Sequence, residues 1–118
     1  MERFVEGQLL RVFIREDDRW HGKPLKDAIV EVLLAANVAG ASVFRAVEGF
    51  GSHREIHTQH VWSFHVGMPI LIEVVDTAET IDAIVPRLEQ MIAEGLLTLE
   101  RVSFRRYQST PSKSSAQS

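Results

Sequence analysis

The stretch that decides the fold is Met68-Pro-Ile-Leu-Ile-Glu-Val-Val-Asp76, in which one glutamate interrupts an apolar run. A short apolar run with polar boundaries is typical of a largely buried strand. Asp76 and Glu79 then have the spacing of a capping box, which predicts that a helix begins here. The sequence therefore predicts a buried strand that leads directly into a helix.

Downstream of this stretch, apolar residues recur every three or four positions, as on one face of an amphipathic helix. They are Ile81, Ile84, Val85, Leu88, Met91 and Ile92. Pro86 lies within the stripe and predicts a kink or a late helix start, and Gly95 predicts the helix end. The range Leu97 to Tyr107 predicts a last strand, with a bulge between Leu99 and Val102 where the apolar phase changes.

Upstream, the first half of the chain has the same order of elements. Alternating apolar residues predict a strand from Gln8 to Arg15. Pro24 suits a first helical turn, and the apolar stripe from Leu25 to Ala36 predicts a helix that ends by Gly40. The range Ala41 to Phe50, rich in valine and phenylalanine, predicts the second strand.

The predicted order is β-α-β, a polar excursion, and β-α-β, within 118 residues. This split repeat predicts an α+β fold, a ferredoxin-like sandwich with two helices on one face of an antiparallel sheet. We divide the chain into an N-terminal extension (1–7), one domain (8–108) and a disordered tail (109–118). The excursion at 52–67 is long for a compact domain, and such loops are usually functional or disordered.

Composition excludes several classes of function. The chain has no cysteine, which excludes a disulfide scaffold, a thiolate zinc site and a cysteine nucleophile. The net charge of −3 argues against a nucleic-acid-binding protein. We find neither a signal peptide nor an apolar run of membrane-spanning length, so we expect a cytoplasmic protein without direct membrane insertion.

The excursion is rich in histidine, and neutral imidazole binds zinc, copper or nickel. In a helix His53, His57 and His60 would share a face, whereas in a strand His53, His57 and His65 would do so. The sequence fixes no carboxylate as a further ligand. We therefore favour a polar loop over a metal site, and the metal site stays the alternative.

Catalysis is not expected. Ser52, His53 and Glu55 supply the residue types of a triad, but no Gly-x-Ser-x-Gly motif is present. Neighbours in sequence also do not face each other as triad members must. The charged residues on the strands are expected to form ion pairs at the sheet surface or at a subunit interface; they are Arg11, Arg15, Arg45, Glu48 and Glu73.

Arg19 and Lys23 flank Trp20 just before the first helix, and a helix N-terminus with basic neighbours can hold an anion. Trp20 can stack on a base or cap the core. A solvated loop is the favoured interpretation, and Arg19 and Lys23 remain candidates for binding an anionic effector.

Three segments resemble the PII signal-transduction proteins. They are Glu48-Gly-Phe-Gly51, His57-Thr58, and Met68-Pro69 leading into Ile72-Glu-Val-Val75. The chain is more similar still to an uncharacterised bacterial PII-like family, domain of unknown function 190. That resemblance rests on Gly22-Lys-Pro-Leu25, Ala28-Ile-Val30 and Ile56-His-Thr58.

The resemblance implies a homotrimer whose three sheets face inward, with ligand clefts between subunits. It also implies that 52–67 is equivalent to the T-loop of PII proteins, a mobile element that docks partners. The residues of this loop assigned to partner binding are His53, Arg54, His57 and Thr58. An adenine nucleotide is expected at the loop base near Gly49 and Gly51, because glycine lets a backbone approach a phosphate.

The same resemblance places Arg106 on a position of the phosphate-binding arginines of PII proteins, with Arg105 as its neighbour in the candidate effector site. Those proteins also carry a glycine-rich, lysine-containing phosphate loop, where this chain has Ala93-Glu-Gly-Leu-Leu97. The expected protein is a PII-like regulator without a resident cofactor. It would bind a small anionic effector and engage a target, such as a membrane transporter, through the loop. The alternatives are a trimeric metal-binding protein and a structural assembly without ligand.

Overall fold

The computed structural model describes residues 3–49, 57–58 and 67–109, which form two helices and eight strands. In chain order these are β1 (Val5–Arg15), β2 (Arg19–Trp20), β3 (Lys23–Pro24), α1 (Leu25–Ala35), β4 (Ala41–Arg45), β5 (Glu48–Gly49), β6 (His57–Thr58), β7 (Pro69–Thr77), α2 (Ala78–Met91) and β8 (Leu96–Phe104). The main sheet has the order β4-β7-β1-β8, and its pairings are antiparallel. This is the α+β, ferredoxin-like architecture that the sequence predicts.

The core lies between the helices and one face of the sheet. Alternate residues of the two central strands face the helices, so Leu10, Val12 and Ile72 are fully buried. The helices contribute Leu25, Ala28, Ile29 and Leu33 from α1, and Ile81, Ile84, Leu88 and Met91 from α2. Each fully buried aliphatic side chain contributes about 1.5–3 kcal/mol of transfer free energy, so these few layers hold the fold together.

The start of α2 corrects two predictions. The N-cap is Thr77, whose hydroxyl accepts the Thr80 N–H at 3.3 Å, and the predicted Asp76–Glu79 capping box does not form. The Asp76 carboxylate instead accepts a hydrogen bond from the Ala39 N–H at 2.9 Å. Asp76 is thus held by a tertiary contact with the turn after α1. The helix begins at Ala78, which makes the predicted late start wrong.

The first and last strands also differ from the predicted bounds. β1 begins at Val5, so Val5 to Gly7 of the predicted extension belong to the sheet. The β1–β8 register runs unbroken from Phe13–Leu96 to Val5–Phe104, and the predicted bulge is absent. Leu99 and Val102 lie an odd number of positions apart and therefore face opposite sides of this edge strand. The change in apolar phase between them reflects these two faces and not a bulge.

The predicted second strand is shorter than expected. β4 covers only Ala41–Arg45, and its residues are exposed because it forms an edge of the sheet. The chain leaves the sheet at Ala46, whose N–H donates to the Pro69 carbonyl at 2.9 Å. Neither helix of the described ranges is long and apolar enough to cross a membrane.

Candidate functional site

The two segments that flank the polar excursion are joined by backbone hydrogen bonds to each other and to the end of β1. The Glu16 N–H donates to the Met68 carbonyl at 2.8 Å, and Ala46 donates to Pro69. Met68 is fully buried. We call this part of the molecule, formed by residues 15–19, 45–49 and 67–69, the loop end. Its backbone hydrogen bonds fix the points where the excursion leaves and rejoins the sheet.

Gly49 lies at the loop end, where β5 pairs with β6 and Gly49 stands opposite His57. A Cβ at Gly49 would lie 3.2 Å from the Pro69 Cγ, so glycine permits a close approach here. The predicted effector residue Gly51 lies outside the described residues. The position of Gly49 suits a backbone contact with a ligand, but only one of the two predicted glycines is located.

Most of the predicted loop sites also fall outside the described residues. These are His53, Arg54, His60 and His65. For His57 and Thr58 the structure gives the backbone pairing in β6. Within the described ranges, no group of three or more potential metal ligands occurs. The partner-binding and metal-binding assignments for 52–67 therefore stay predictions.

Four charged side chains of the loop end form two ion pairs. The Arg15 Nε lies 3.3 Å from Asp17 Oδ1, and the Arg45 Nε lies 3.1 Å from Glu16 Oε2. Asp18 accepts the Arg15 backbone N–H at 2.9 Å. Burial raises the pKa of Asp18, and this hydrogen bond partly opposes that rise. These contacts stabilise the turn that follows β1.

The hairpin of β2 and β3 carries the predicted effector residues Arg19 and Lys23. The Lys23 Nζ lies 2.7 Å from Glu31 Oε1 of α1. The turn is made by His21 (φ +48°) and Gly22 (φ +85°), and two positive φ values are typical of a tight hairpin turn. Trp20 stacks on His21 and packs against the core. The charge of Lys23 is thus already compensated within the chain.

The start of β1 and the end of β8 meet at the opposite end of the sheet. We call residues 3–6 and 101–107 the arginine end, because they contain four arginines and one glutamate in a chain whose net charge is −3. The arginines are Arg3, Arg101, Arg105 and Arg106. The Arg105 guanidinium lies over the Phe4 ring, 5.0 Å from its centroid. This end is therefore positively charged on an acidic protein.

The two ends are far apart within one chain. β1 runs from Val5, beside the arginine end, to Arg15, opposite Pro69 at the loop end. Ten residues of extended chain span about 30 Å. The structure thus separates Gly49 from Arg105 and Arg106, and one small ligand cannot contact both groups in the same chain.

The face of the sheet away from the helices carries an apolar row. Phe44, Leu71, Phe13 and Leu96 lie opposite one another across the four strands. Phe44 is 49% exposed and Leu96 is 57% exposed. We call this surface the open face. Contiguous exposed apolar residues of this kind are candidates for an interaction surface.

An ion-pair cluster lies beside that row on the open face. The Arg11 Nε donates to Glu73 Oε2 at 2.9 Å, and its Nη1 donates to Glu100 Oε1 at 3.1 Å. The hydrogen bond to Glu73 raises the pKa of the Arg11 guanidinium above its already high value. The predicted ion pairs of Arg11, Arg15, Arg45 and Glu73 are confirmed, whereas Glu48 forms no ion pair with another described residue.

Sequence reasoning missed Phe4, because it assigned residues 1–7 to an extension. The signal that could have revealed it is Phe4-Val5, a β-favouring pair directly before the alternating strand. In this fold the first strand pairs with the last, so residues that precede the first strand lie beside residues that follow the last.

Comparison with known proteins gives a consistent result at the level of sequence. Residues 7–104 match the model of DUF190, a family described as Uncharacterized ACR. A UPF0166 protein of Aquifex aeolicus is 33% identical over 100 residues, which cover 85% of this chain and 94% of that protein. A UPF0166 protein of Methanocaldococcus jannaschii is 27% identical over 95 residues, which cover 80% and 87% of the two chains.

Solved structures with the same fold include PII-like proteins. CPII of Thiomonas intermedia, a nitrogen regulatory PII-like protein bound to ADP, AMP and bicarbonate, has a TM-score of 0.62 at 16% identity; the match covers 90% of this chain and 94% of that chain. A protein of Thermus thermophilus described as PII-like and signalling has a TM-score of 0.63 at 20% identity, with 88% and 93% covered. At these identities the similarity shows the fold.

Proposed function

This chain belongs to the DUF190 family and has a PII-like fold, and on that premise we propose that it is a regulatory protein that binds a small anionic effector between the subunits of a homotrimer. The effector of this proposal is an adenine nucleotide, and the response is a change in the loop 52–67 that engages a target protein. The observation that carries the proposal is the separation of Gly49 from the arginine end.

That separation supports a site shared by two copies. A nucleotide that contacts Gly49 and also Arg105 or Arg106 must take them from different chains, since they lie about 30 Å apart in one. An interface that joins the loop end of one copy to the arginine end of the next is a head-to-tail contact. Such contacts form a ring when the rotation between copies closes, and a ring of three agrees with the trimer that the PII resemblance implies.

The open face supplies the surface for such an assembly. Its apolar row would be buried between copies, and the cluster of Arg11, Glu73 and Glu100 would set the register of the contact. Leu96→Glu places a charge on the open face and is expected to give a monomeric protein by analytical ultracentrifugation. Leu34→Glu is the matched control, because Leu34 is 78% exposed on α1 and lies away from that face. Equal assembly of both variants would contradict the role of the open face.

The charge distribution favours an anion at the arginine end. Arginine donates two parallel hydrogen bonds to a phosphate, and such charge-assisted bonds are about twice as strong as neutral ones. CPII, which shares the fold, is bound to ADP and AMP, and this supports the choice of adenine nucleotides as the first ligands to test. The segment Ala93 to Leu97 offers no basic residue, and in this proposal the arginines of the arginine end hold the phosphates.

The regulatory step of the proposal is a shift in the states of the loop. An effector changes the loop only by the difference between its affinities for two loop states. A target that binds one of these states, such as a membrane transporter, would then bind more tightly or more weakly by the same coupling free energy. The proposed activity is binding and signalling, without a chemical reaction.

Calorimetric titration with ADP and AMP, followed by hydrogen exchange of peptides that span 50–66, tests the proposal. We expect saturable binding and a change in exchange within those peptides. Absence of binding at millimolar nucleotide would contradict the choice of effector. Binding that leaves the exchange of the loop unchanged would contradict the regulatory step.

A further inference from the structure

We infer that residues 106–109 of one copy add as a strand to the outer edge of β4 in the next copy. The inference rests on the proposed homotrimer, and it names the contact that joins the arginine end of one copy to the loop end of the next. The occupant of the β4 edge is thus a second copy of this chain, and Arg106 enters the shared site on the added strand.

The outer edge of β4 lacks the features that usually protect an exposed sheet edge. β4 pairs with β7 on one side in an unbroken register, and no other described strand pairs with it. It contains no proline, and its one charged residue is Arg45, at its end. The opposite edge, β8, carries Glu100 and Arg101 in its middle. Since proteins commonly protect such edges with charges, prolines or bulges, or cover them, β4 is the edge that a partner strand is expected to cover.

Residues 106–109 supply a segment of suitable length and exposure. They follow β8, whose pairing with β1 ends at Phe104, and none of the described strands includes them. All four are exposed, and Tyr107 is 77% exposed. Arg105 is half-buried and already has contacts with its own chain, including the Phe4 ring. The added strand therefore begins at Arg106 and leaves the contacts of Arg105 intact.

The sheet topology fixes the direction of the added strand. Neighbouring strands are antiparallel throughout the order β4-β7-β1-β8, so β4 runs antiparallel to β8. A second copy that turns the same face of its sheet inward presents β8, and the segment that continues it, antiparallel to β4. Alternation along the continued strand then places Arg106 on the open face, like Phe44, and Tyr107 on the helix side, like Val43.

Side-chain matching selects one register of the added strand. With Tyr107 opposite Val43, Arg106 lies opposite Phe44, and no two like charges are opposed. An aromatic side chain opposite a β-branched one stabilises an antiparallel pair. Val43 is 41% exposed and Phe44 is 49% exposed, so the added strand would cover both. A shift of two residues would put a charged or a small polar side chain opposite Val43.

Charge favours contact between unlike ends of the molecule. The arginine end has four arginines and one glutamate, whereas the loop end has three arginines and four carboxylates. Two arginine ends would repel each other, and the added strand instead brings the arginine end toward the end with an acidic excess. Arg106 of one copy then lies beside the strand that leads to Gly49 of the next.

Disulfide cross-linking tests the contact, because the natural chain has no cysteine. In Val43→Cys/Tyr107→Cys the two thiols would be opposed across the added strand, with Cα atoms about 4.5–5.5 Å apart, which a disulfide can span. Within one chain two strands separate β4 from β8, a distance of about 14 Å, so the two positions do not bridge there. After oxidation we expect covalent dimers and trimers and nothing larger on a non-reducing gel, since the ring closes at three.

The matched control is Ser42→Cys/Tyr107→Cys, in which the two thiols lie on opposite faces of the sheet. We expect about tenfold less bridged protein from it under the same oxidation, because successive side chains of a strand alternate between faces. A mixture of the single variants Val43→Cys and Tyr107→Cys provides a second measurement. Peptide mass spectrometry of that mixture is expected to find bridges that join position 43 to position 107.

The outcomes separate this inference from the proposed function. Wild-type protein that sediments as a monomer would overturn both. A trimer in which Val43→Cys/Tyr107→Cys bridges no better than the control would overturn the inference alone. Bridging of Val43→Cys with itself would also overturn it, since two β4 edges would then face each other. A bridged trimer that binds no ADP would support the inference and contradict the choice of effector.

Discussion

The loop end and the arginine end lie at opposite ends of the same strand and are built differently. At the loop end Arg15 pairs with Asp17 and Arg45 with Glu16, so the charges there hold the chain's own turns. At the arginine end four arginines accompany one glutamate. Under the proposed function, the loop end positions the loop and the arginine end attracts the anion, and a site that uses both ends requires two copies of the chain.

The two ends differ most in the space around their glycine residues. A Cβ at Gly7, beside the arginine end, would lie 2.5 Å from the Asp76 carbonyl oxygen and 2.5 Å from the Phe104 ring. At Gly49 the nearest atom is the Pro69 Cγ at 3.2 Å. We expect Gly7→Ala to lower the free energy of unfolding by about 1–3 kcal/mol, and Gly49→Ala by less than about 0.5 kcal/mol.

Urea unfolding at matched protein concentration measures both variants, because assembly makes stability depend on concentration. Equal losses for the two alanine variants would mean that the loop end is packed as tightly as the arginine end.

The second contrast is between the arginine end and the β2–β3 hairpin in their effect on ADP binding. Arg105→Ala combined with Arg106→Ala is expected to weaken ADP at least tenfold, since hydrogen bonds from charged groups contribute about 1.5–3 kcal/mol each. Lys23→Ala is the control at the β2–β3 hairpin and is expected to change the affinity less than twofold, because Lys23 already pairs with Glu31. Calorimetry checks both. A larger loss for Lys23→Ala than for the arginine pair would place the phosphate at the hairpin.

The smallest expected effect is a pH dependence at the loop end. Burial raises the pKa of Asp18 in the folded protein, so its contribution to stability is fully present below the unfolded pKa and is lost as pH rises through the folded pKa. Asp18→Asn removes the charge and keeps an acceptor for the Arg15 N–H. We expect this variant to be more stable than the wild type at pH 7 by a few tenths of a kcal/mol, given partial solvent screening.

Thermal unfolding of Asp18→Asn between pH 3 and pH 7 checks the sign. The advantage of the variant should disappear at the acid limit, where the wild-type carboxyl is protonated. A variant that is less stable at pH 7 would show that the ionised carboxylate stabilises the turn.

Much of the fold could be predicted from the sequence, because the two central strands and both helices bury periodic apolar faces. Leu10 and Val12 are buried on the face that their alternation predicted, and Ile72 is buried in the strand that its apolar run predicted. The N-cap of α2 could not be predicted in the same way, since Asp76 is engaged by the Ala39 N–H, a contact that exists only in the folded chain. Local patterns predict helices and strands, whereas tertiary contacts determine which of two neighbouring polar residues caps a helix.

The candidate site was less predictable for a related reason. Motif resemblance selected Gly49, Arg105 and Arg106 as one site, but sequence gives no distance, and the register of β1 separates them within the chain. Phe4 was missed because pairing of the first and last strands, and not any local pattern, brings it to Arg105. The family itself was recognisable from short motifs, and its identification is confirmed.

The most direct test of the central claim, that the effector site is shared between copies, is native mass spectrometry of the protein with ADP. We expect a trimer that carries up to three ADP molecules, and monomer peaks from the same solution that carry none. A monomeric protein at micromolar concentration, or ADP retained on the monomer as readily as on the trimer, would contradict it.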